Sequence, residues 1–157
     1  MVNVQDICIR PALEADCFQL AFLRTALWPE SSCEEHEREL TKIIGGTLSS
    51  TMPRIILVAE TSDDKLVGFL EAGLRSHADG CDPSHAVGFV EGWLVTEDYR
   101  HRGIGRRLLS KAENWAHGQG CLEMASDTWI DNEASQRVHE ALGFEIVDRR
   151  VHYRKAL

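Results

Sequence analysis

The segment YRHRGIGRRLL, residues 99–109, constrains the fold of this chain more than any other. From position 104 onward, apolar residues recur at helical spacing, so the two glycines lie where a helix begins. The recurring residues are Ile104, Leu108, Leu109, Ala112, Trp115 and Ala116. The first turn of a helix leaves backbone N–H groups unpaired, and glycines let an anion approach them closely. The segment therefore predicts a phosphate-binding turn that leads into a helix.

The spacing of the glycines narrows the kind of phosphate site. A Walker A loop reads G-x-x-x-x-G-K-[ST], and a dinucleotide fingerprint has a third glycine that opens a first βαβ unit. This chain has neither pattern, but instead Arg100-x-x-Gly103-x-Gly105 after a strand-like stretch. Other basic residues around the turn are His101, Arg102, Arg106 and Arg107. The alternative is that the two glycines only begin a helix.

Length and charge limit the possible partners. The chain has 157 residues and a formal net charge of −8, and we expect one domain over residues 1–157. Nucleic acids and anionic membranes are bound through a surplus of Lys and Arg, so we expect neither as a partner. A cationic partner fits better, although solubility alone also accounts for an acidic surface.

Membrane, redox and metal signals are weak throughout the sequence. No segment reaches the roughly 18 consecutive apolar residues of a membrane span, and the first residues do not resemble a secretion leader. The five cysteines are odd in number and scattered, which indicates reduced thiols in a cytoplasmic protein. A cluster of His77, Asp79, Asp82 and His85 lies in a polar stretch that is typical of a loop, so we expect no metal.

Hydrophobic periodicity predicts a mixed α/β (α+β) domain. Strands are predicted over 7–12, 54–60, 65–75, 87–95, 121–128 and again after Gly143, and helices over 13–28, 33–46, from 104 and from 132. The predicted inward residues of the last helix are Ala134, Val138 and Leu142. Gly92, in the middle of the 87–95 strand, indicates a bulge or a close approach to the backbone.

Several of these motifs resemble the GCN5-related N-acetyltransferase (GNAT) superfamily. The turn Arg100-x-x-Gly103-x-Gly105 is similar to its pyrophosphate-binding signature, and NEASQRVHEALGF, residues 132–144, is similar to its second signature. The opening IRPALEAD is similar to its first strand and helix. Within the superfamily, three stretches resemble the aminoglycoside 6′-N-acetyltransferases. They are LWPE at 27–30, GCDPSHAVGFVEGWLV at 80–95, and GCLEMASDT with the NEASQRVHEALGF helix that follows it, at 120–144.

This resemblance implies an acyl-CoA N-acyltransferase fold. The fold is a mixed central sheet with helices on both faces, splayed in the middle to admit the pantetheine arm of acetyl-CoA, and the resemblance also implies a homodimer. The expected cofactor-binding residues are Trp93, Leu94, Val95, Arg100, His101, Arg102, Gly103, Ile104, Gly105, Arg106 and Asn132. The strand residues would act through main-chain atoms, unless this is a plain core strand. An asparagine such as Asn132 also commonly caps a helix.

Transfer of an acyl group to an amine requires a neutral amine, donors aimed at the developing oxyanion and a proton for the leaving thiolate. By resemblance, Asp127 and Glu91 bind the cationic acceptor, and one of them accepts its proton. Two structural alternatives are a salt bridge of Glu91 to a loop arginine and a turn capped by Asp127. The superfamily often has a tyrosine as general acid where this chain has His139, so the role of His139 is either that of an acid or one in helix packing or hydrogen bonding.

Two further residues complete the expected acceptor site. By resemblance, the ring of Trp28 covers the sugar, and Asp148 in the last predicted strands adds a carboxylate from this chain or from its partner. The resulting hypothesis is acetyl transfer, in a ternary complex, from acetyl-CoA to the 6′-amine of a cationic aminoglycoside, which gives antibiotic resistance. The alternatives are an acetyltransferase for a polyamine or a protein N-terminus, and a non-catalytic acyl-CoA-binding domain.

Overall fold

The computed structural model describes residues 6–48 and 52–157, which form one central sheet with helices on both faces. The strands are β1 Cys8–Pro11, β2 Arg54–Glu60, β3 Leu66–Arg75, β4 Val87–Val95 and β5 Met124–Ser126. The α-helices are α1 Cys17–Leu27, α2 Cys33–Ile44, α3 Ile104–Gly118 and α4 Glu133–Ala141. Short 3-10 turns precede α1, at Glu14–Asp16, and follow β4, at Glu97–Tyr99.

The sheet is mixed, as predicted. Its strands lie in chain order from β1 to β5; the first four run antiparallel, and β5 runs parallel to β4. The predicted hairpin between 54–60 and 65–75 is the β2–β3 pair. The parallel β4–β5 pair requires a crossover, which α3 provides.

The central strands are apolar on both faces because both faces are covered. In β2, Ile56 and Val58 pack against α1 and α2, whereas Leu57 and Ala59 pack against α3. The inward residues of α3 that periodicity predicted are buried, except for Trp115, which is partly buried against the same core. The helix after the glycine turn is therefore anchored firmly to the sheet.

Local signals explain where the first two helices begin and end. Pro29 follows α1 directly after Trp28, and the residue before a proline avoids the helical region. At the start of α2, Ser32 and Glu35 form a capping box, in which each side chain accepts a hydrogen bond from the backbone N–H of the other. These two ends fix the reversal that carries Trp28.

The C-terminal part departs from the prediction. Residues 145–157 form no strand, because they make no ladder with any sheet edge in the described residues and contact the loop before β4 instead. Arg150 pairs with Asp79 at 2.7 Å, and a Cβ on Gly80 would lie 2.6 Å from Val147. The strand predicted at 121–128 shortens to β5, and α4 has no fully buried residue: Ala134 is exposed and Val138 is 47% exposed.

None of the helices in the described part of the chain is long and apolar enough to cross a membrane.

One arginine with two carboxylates joins β1, β2 and the 3-10 turn that precedes α1. Arg10 of β1 donates to Asp16 at 2.7 Å and to Glu60 of β2 at 2.6 Å. The Arg10 hydrogen bond is the main cause that holds the pKa of each carboxylate below its usual range. Because the pKa is lowered in the folded state, this stabilisation is present above the unfolded value of about 4 and is lost as pH falls through the folded value.

We expect Asp16→Asn to lower the free energy of unfolding by about 2 kcal/mol at pH 7, because a nearly buried charged hydrogen bond is lost. The difference from wild type should shrink below about pH 4, where Asp16 is protonated in the unfolded wild type and begins to be so in the folded one. Urea unfolding at a series of pH values measures both effects. The exposed Asp63→Asn serves as the control, and a pH-independent difference for Asp16→Asn would contradict the assignment.

Candidate functional site

The candidate site lies where β4 and β5 separate. The two strands pair at Gly88 with Met124, Phe89 with Ala125, and Val90 with Ser126. β4 continues to Val95 but β5 ends at Ser126, so residues 91–95 lack a neighbouring strand on that side within the described residues. The expected splay is therefore present, and main-chain groups that face this gap can bind an extended ligand.

A β-bulge in β4 forms the wall of the gap. On the β3 side, Glu71 pairs with Gly92 and Ala72 pairs with Val90, so Glu91 is the extra residue. A bulge of this kind bends the strand and re-aims the side chains around it. The bulge predicted from Gly92 is confirmed.

Trp28 lies directly over the bulge. A Cβ at position 92 would collide with Cη2 of the Trp28 indole, so only glycine admits the ring there. The backbone N–H of Trp28 donates to the Arg24 carbonyl at 2.7 Å. Sequence analysis assigned Trp28 to the site but gave no sign that it touches Gly92, because the two residues are far apart in the chain.

Three side chains contact Trp28, one at its carbonyl and two beside its indole. Nε2 of the buried His36 lies 3.0 Å from the Trp28 carbonyl oxygen, which can only accept, so Nε2 donates. The ring of the buried Phe69 lies 6.2 Å from the indole, centroid to centroid, and the Arg24 guanidinium carbon lies 5.1 Å from the indole centroid. Cation–π contact of this kind is attractive.

Arg24 belongs to a buried ion pair that the site-residue prediction missed. Arg24 Nε lies 2.8 Å from Glu71 Oε1, without the alignment of a hydrogen bond, and Nη1 donates to Glu39 at 2.9 Å. Burial raises the pKa of Glu71 to about 7, against the opposing effect of Arg24. The signal in the sequence was an arginine on the otherwise apolar side of the first helix, at Cys17, Leu20, Arg24 and Leu27.

Glu91 forms an ion pair with Arg75, the last residue of β3. Arg75 Nη2 donates to Oε2 at 2.7 Å and Nε to Oε1 at 3.1 Å, and the guanidinium also stacks on Phe89 at 3.4 Å from the ring centroid. The Glu91 side chain is 27% exposed. The arginine salt bridge considered as an alternative therefore exists, and it leaves Glu91 accessible while giving it a cationic partner.

Asp127 follows the last residue of β5. Because Val90 pairs with Ser126 in parallel, Asp127 and Glu91 each come one residue after the point where the strands part. Asp127 is exposed, and among the described residues its carboxylate has no hydrogen bond or ion pair. The alternative of a turn capped by Asp127 is not what the structure has, and the carboxylate meets solvent at the gap.

His139 links α4 to the sheet. Its Nδ1 lies 2.7 Å from the Ser135 carbonyl, which can only accept, so Nδ1 carries a proton. In the neutral ring, Nε2 then accepts from the Ser126 hydroxyl at 2.8 Å. The ring packs edge-on against Trp93 and Phe144, at centroid distances of 5.7 and 5.2 Å. These contacts fit the packing alternative, and Nε2 lies beside the end of β5.

The glycine turn has an unusual backbone. His101 and Gly103 both adopt left-handed conformations, with φ of 59° and 78°, directly before α3 begins at Ile104. Such turns direct successive N–H groups into a concavity that binds anions, and the helix dipole adds positive potential. A Cβ at Gly103 would meet nothing within 4 Å, so the surface above this turn is open.

The arginines around the turn face different ways. Arg100 Nε donates to the Val95 carbonyl at 2.9 Å, which ties the turn to the end of β4. Arg102 lies over the ring of Tyr99, 5.3 Å from its centroid. Arg106 lines a separate groove of about 660 Å³ between β1 and α3. The structure therefore brings Arg100 to the gap, and Arg106 contributes to the turn through its place in the first turn of α3.

Two residues that were predicted to bind the cofactor or the acceptor have other contacts. Asn132 caps α4, and its side chain accepts from the Ser135 N–H at 3.1 Å, which is the capping alternative. Asp148 is exposed and accepts from Arg150 at 2.7 Å, a bond that holds the pKa of Asp148 below its usual range. Neither contact brings the residue to the gap within this chain.

The polar loop before β4 does not gather a metal site. His77 pairs with Asp79 at 3.7 Å, and His85 pairs with Asp82 at 3.6 Å, as two separate pairs. Across residues 6–48 and 52–157, no group of three or more His, Cys, Asp or Glu side chains is placed to hold a metal ion.

Comparison with known proteins identifies close relatives. A model of the acetyltransferase (GNAT) family matches residues 17–144. An aminoglycoside N(6′)-acetyltransferase type 1 from Klebsiella aerogenes is 37% identical over 95% of this chain and 96% of its own length. The protein of the same name from Serratia marcescens is 42% identical over 86% of this chain and 89% of its own length.

Solved structures agree with these relatives. AAC(6′)-Iy in complex with the bisubstrate analog CoA-S-monomethyl-acetylneamine has a TM-score of 0.83 and 34% identity, covering 96% of this chain and 99% of that one. The aminoglycoside antibiotic 6′-N-acetyltransferase AAC(6′)-Ih from Acinetobacter baumannii has a TM-score of 0.84 and 32% identity, with the same coverage. Both likenesses extend over the strands, the turn and the helices described above.

Proposed function

The chain belongs to the acetyltransferase (GNAT) family, and from that premise we propose that it transfers the acetyl group of acetyl-CoA to the 6′-amine of aminoglycoside antibiotics, which gives resistance to them. The observation that carries the proposal is the gap between β4 and β5 beside the left-handed turn at 101–103. Relatives and solved structures that match nearly the whole chain bear this activity in their names, and one of those structures holds a bisubstrate analog.

The residues at the gap fit acetyl-CoA. The open turn at Gly103 and the first N–H groups of α3 suit a pyrophosphate, and the unpaired side of residues 91–95 suits the amides of a pantetheine arm. Gly105 lies against the Trp93 indole, where an added Cβ would be 3.2 Å from the ring, so the start of α3 sits close to β4. When bound, acetyl-CoA supplies an acetyl group activated as a thioester.

The cationic acceptor fits on the other side of the bulge. Trp28 provides an apolar ring over Gly92, and Glu91 and Asp127 provide negative charge at the point where the strands part. The net charge of −8 supports the attraction of a polycation. Since Arg75 already pairs with Glu91, an acceptor ammonium that binds Glu91 shares or replaces that contact.

Asp127 is the better candidate for the proton acceptor. An acceptor amine must lose a proton before it attacks, and a carboxylate without an ion pair is free to take that proton directly or through water. Glu91 is engaged by Arg75 through two hydrogen bonds, which suits binding rather than proton transfer. In this proposal, main-chain N–H groups of β4 at the gap polarise the acyl carbonyl.

His139 and Asn132 have supporting roles in this proposal. A neutral His139 with its proton on Nδ1 orients Ser126 and packs against Trp93, which keeps the end of β5 and the wall of the gap in register. Only a second proton, on Nε2, would let His139 act as an acid toward the thiolate. Asn132 keeps its side-chain amide N–H groups available for the cofactor, because its oxygen is the atom that caps α4.

A homodimer would complete the C-terminal part of the molecule. Its apolar side chains are unusually exposed: Trp129 78%, Val138 47%, Ile146 52%, Val147 62%, Val151 72% and Tyr153 93%. Exposed apolar side chains in this number favour an interaction site, and β5 is an edge strand of the sheet. Packing of residues 145–157 against a second copy would also offer Asp148 to the acceptor site of that copy.

The five cysteines are unpaired, which suits a cytoplasmic protein.

We expect the purified protein to acetylate kanamycin or tobramycin at the 6′-amine in the presence of acetyl-CoA. Mass spectrometry with fragmentation locates the added acetyl group, and thiol release with a panel of amines compares acceptors. Acetylation of a polyamine or a peptide N-terminus alone would overturn the aminoglycoside assignment but keep the acetyltransferase. Acetyl-CoA binding without transfer to any amine would overturn both.

We expect Asp127→Asn to lower kcat/KM on the order of 100-fold or more, the scale of a positioned proton acceptor. Glu91→Gln should mainly raise KM for the aminoglycoside. Wild-type kcat/KM should rise with pH through the neutral range, because the acceptor amine must lose a proton. Asp127→Asn should lower kcat across that range, whereas Glu91→Gln should keep the wild-type kcat at saturating aminoglycoside. Reversal of these two effects would assign the proton acceptor to Glu91, and unchanged rates in both variants would exclude both carboxylates.

We expect the protein to sediment as a dimer and Tyr153→Asp to weaken that dimer, because a charge would enter the apolar contact. Phe18→Asp is the matched control, since Phe18 is also an exposed aromatic, 60% accessible, but lies on α1. Sedimentation velocity over a range of protein concentrations measures the effect. A monomeric wild type, or equal loss of dimer in both variants, would contradict this interface.

A further inference from the structure

We propose that Arg24 is a positioning residue for the acceptor site, which holds the Trp28 indole over the β4 bulge through its ion pairs with the buried Glu71 and the half-exposed Glu39. The inference rests on the proposed function, in which Trp28 covers the acceptor. It concerns residues behind the site that touch neither acetyl-CoA nor the acceptor.

The first argument is the burial of Arg24. Its side chain is 6% exposed and that of Glu71 is 7% exposed. A buried ion pair is poor evidence of stability, because removing two charges from water costs about as much as their attraction returns. An arginine on the sheet-facing side of α1, where apolar packing would serve the fold, therefore calls for a geometric role.

The second argument is what the three charged residues connect. Arg24 lies on α1, Glu39 on α2 and Glu71 on β3, and Arg24 touches both carboxylates. Glu71 is also the strand partner of Gly92, the residue on which the indole rests. The ion pair thus connects the two helices before and after Trp28 to the strand position directly behind the bulge.

The third argument is the direct contact with Trp28. The guanidinium carbon lies 5.1 Å from the indole centroid, and the Arg24 carbonyl accepts from the Trp28 N–H at 2.7 Å. Gly92 excludes movement of the ring toward β4, and Arg24 restrains it from the helix side. An indole held on both sides presents a fixed surface, which lowers the ordering cost when an acceptor binds.

The experiment compares steady-state kinetics of wild type with Arg24→Met/Glu71→Met, a pair that removes both buried charges and leaves only the half-exposed Glu39 without its partner. We expect KM for the aminoglycoside to rise on the order of tenfold, the scale of a lost cation–π contact in a buried setting. KM for acetyl-CoA should stay within about twofold, because the turn at 101–103 is untouched. Glu39→Gln, at a half-exposed position, should raise the aminoglycoside KM by a smaller factor.

A matched control is Arg10, a partly buried arginine that also bridges two carboxylates. Arg10→Met/Glu60→Met removes a similar ion pair at β1 and β2. It should lower thermal stability but leave the aminoglycoside KM at the wild-type value. An equal rise in both double variants would mean that general loosening of the fold is the cause, and would overturn the inference.

A double-mutant cycle with Trp28→Ala tests whether Arg24 acts through the indole. We expect Trp28→Ala to raise the aminoglycoside KM. Arg24→Lys should raise this KM in the protein that retains Trp28, and should leave it unchanged in the Trp28→Ala background. If the two effects multiply, Arg24 does not act through Trp28 and the inference is overturned. If Trp28→Ala leaves this KM unchanged while 6′-acetylation persists, the inference and the proposed acceptor role of Trp28 both fail, but the activity stands. Absence of 6′-acetylation by the wild-type protein would instead mean that the proposed function is wrong.

Discussion

The single extra residue in β4 determines the arrangement of every other part of the site. With Glu91 inserted, the strand bends after Val90, and at the same point it loses its pairing with β5. One face of the bend exposes main-chain groups to the gap, and the other receives the Trp28 indole at Gly92. A regular strand would continue its ladder with β5 and close the gap, so cosubstrate and acceptor would have no common meeting point.

The parallel pairing of β4 and β5 then explains how residues from distant parts of the chain converge. In a parallel pair, residues that follow equivalent positions leave the sheet at the same edge. Glu91 and Asp127 follow Val90 and Ser126 respectively, so both residues come directly after the parting point although 36 positions separate them. The glycine turn reaches the same region because Arg100 bonds to the last residue of β4.

Much of the fold could be predicted from the sequence, because its signals are local. The glycine turn before α3, the β2–β3 hairpin and the bulge at Gly92 follow from spacing and residue type, and the structure has all three. The prediction of a strand after Gly143 was wrong. A strand needs a partner edge, and the alternating pattern of 145–157 does not show whether such an edge is available. The contacts Trp28–Gly92 and Arg24–Glu71 are long-range, so residue spacing alone could not reveal them.

In the proposed function, the ion pair of Glu91 and Arg75 makes the two carboxylates unequal. Asp127 is a bare carboxylate that attracts any amine, whereas at Glu91 an ammonium must compete with a guanidinium that also stacks on Phe89. An acceptor with several ammonium groups can engage Asp127 first, and its second ammonium then competes with Arg75 at a raised effective concentration. A single amine gains only one of the two contacts, so the proposed arrangement favours polycations over monoamines.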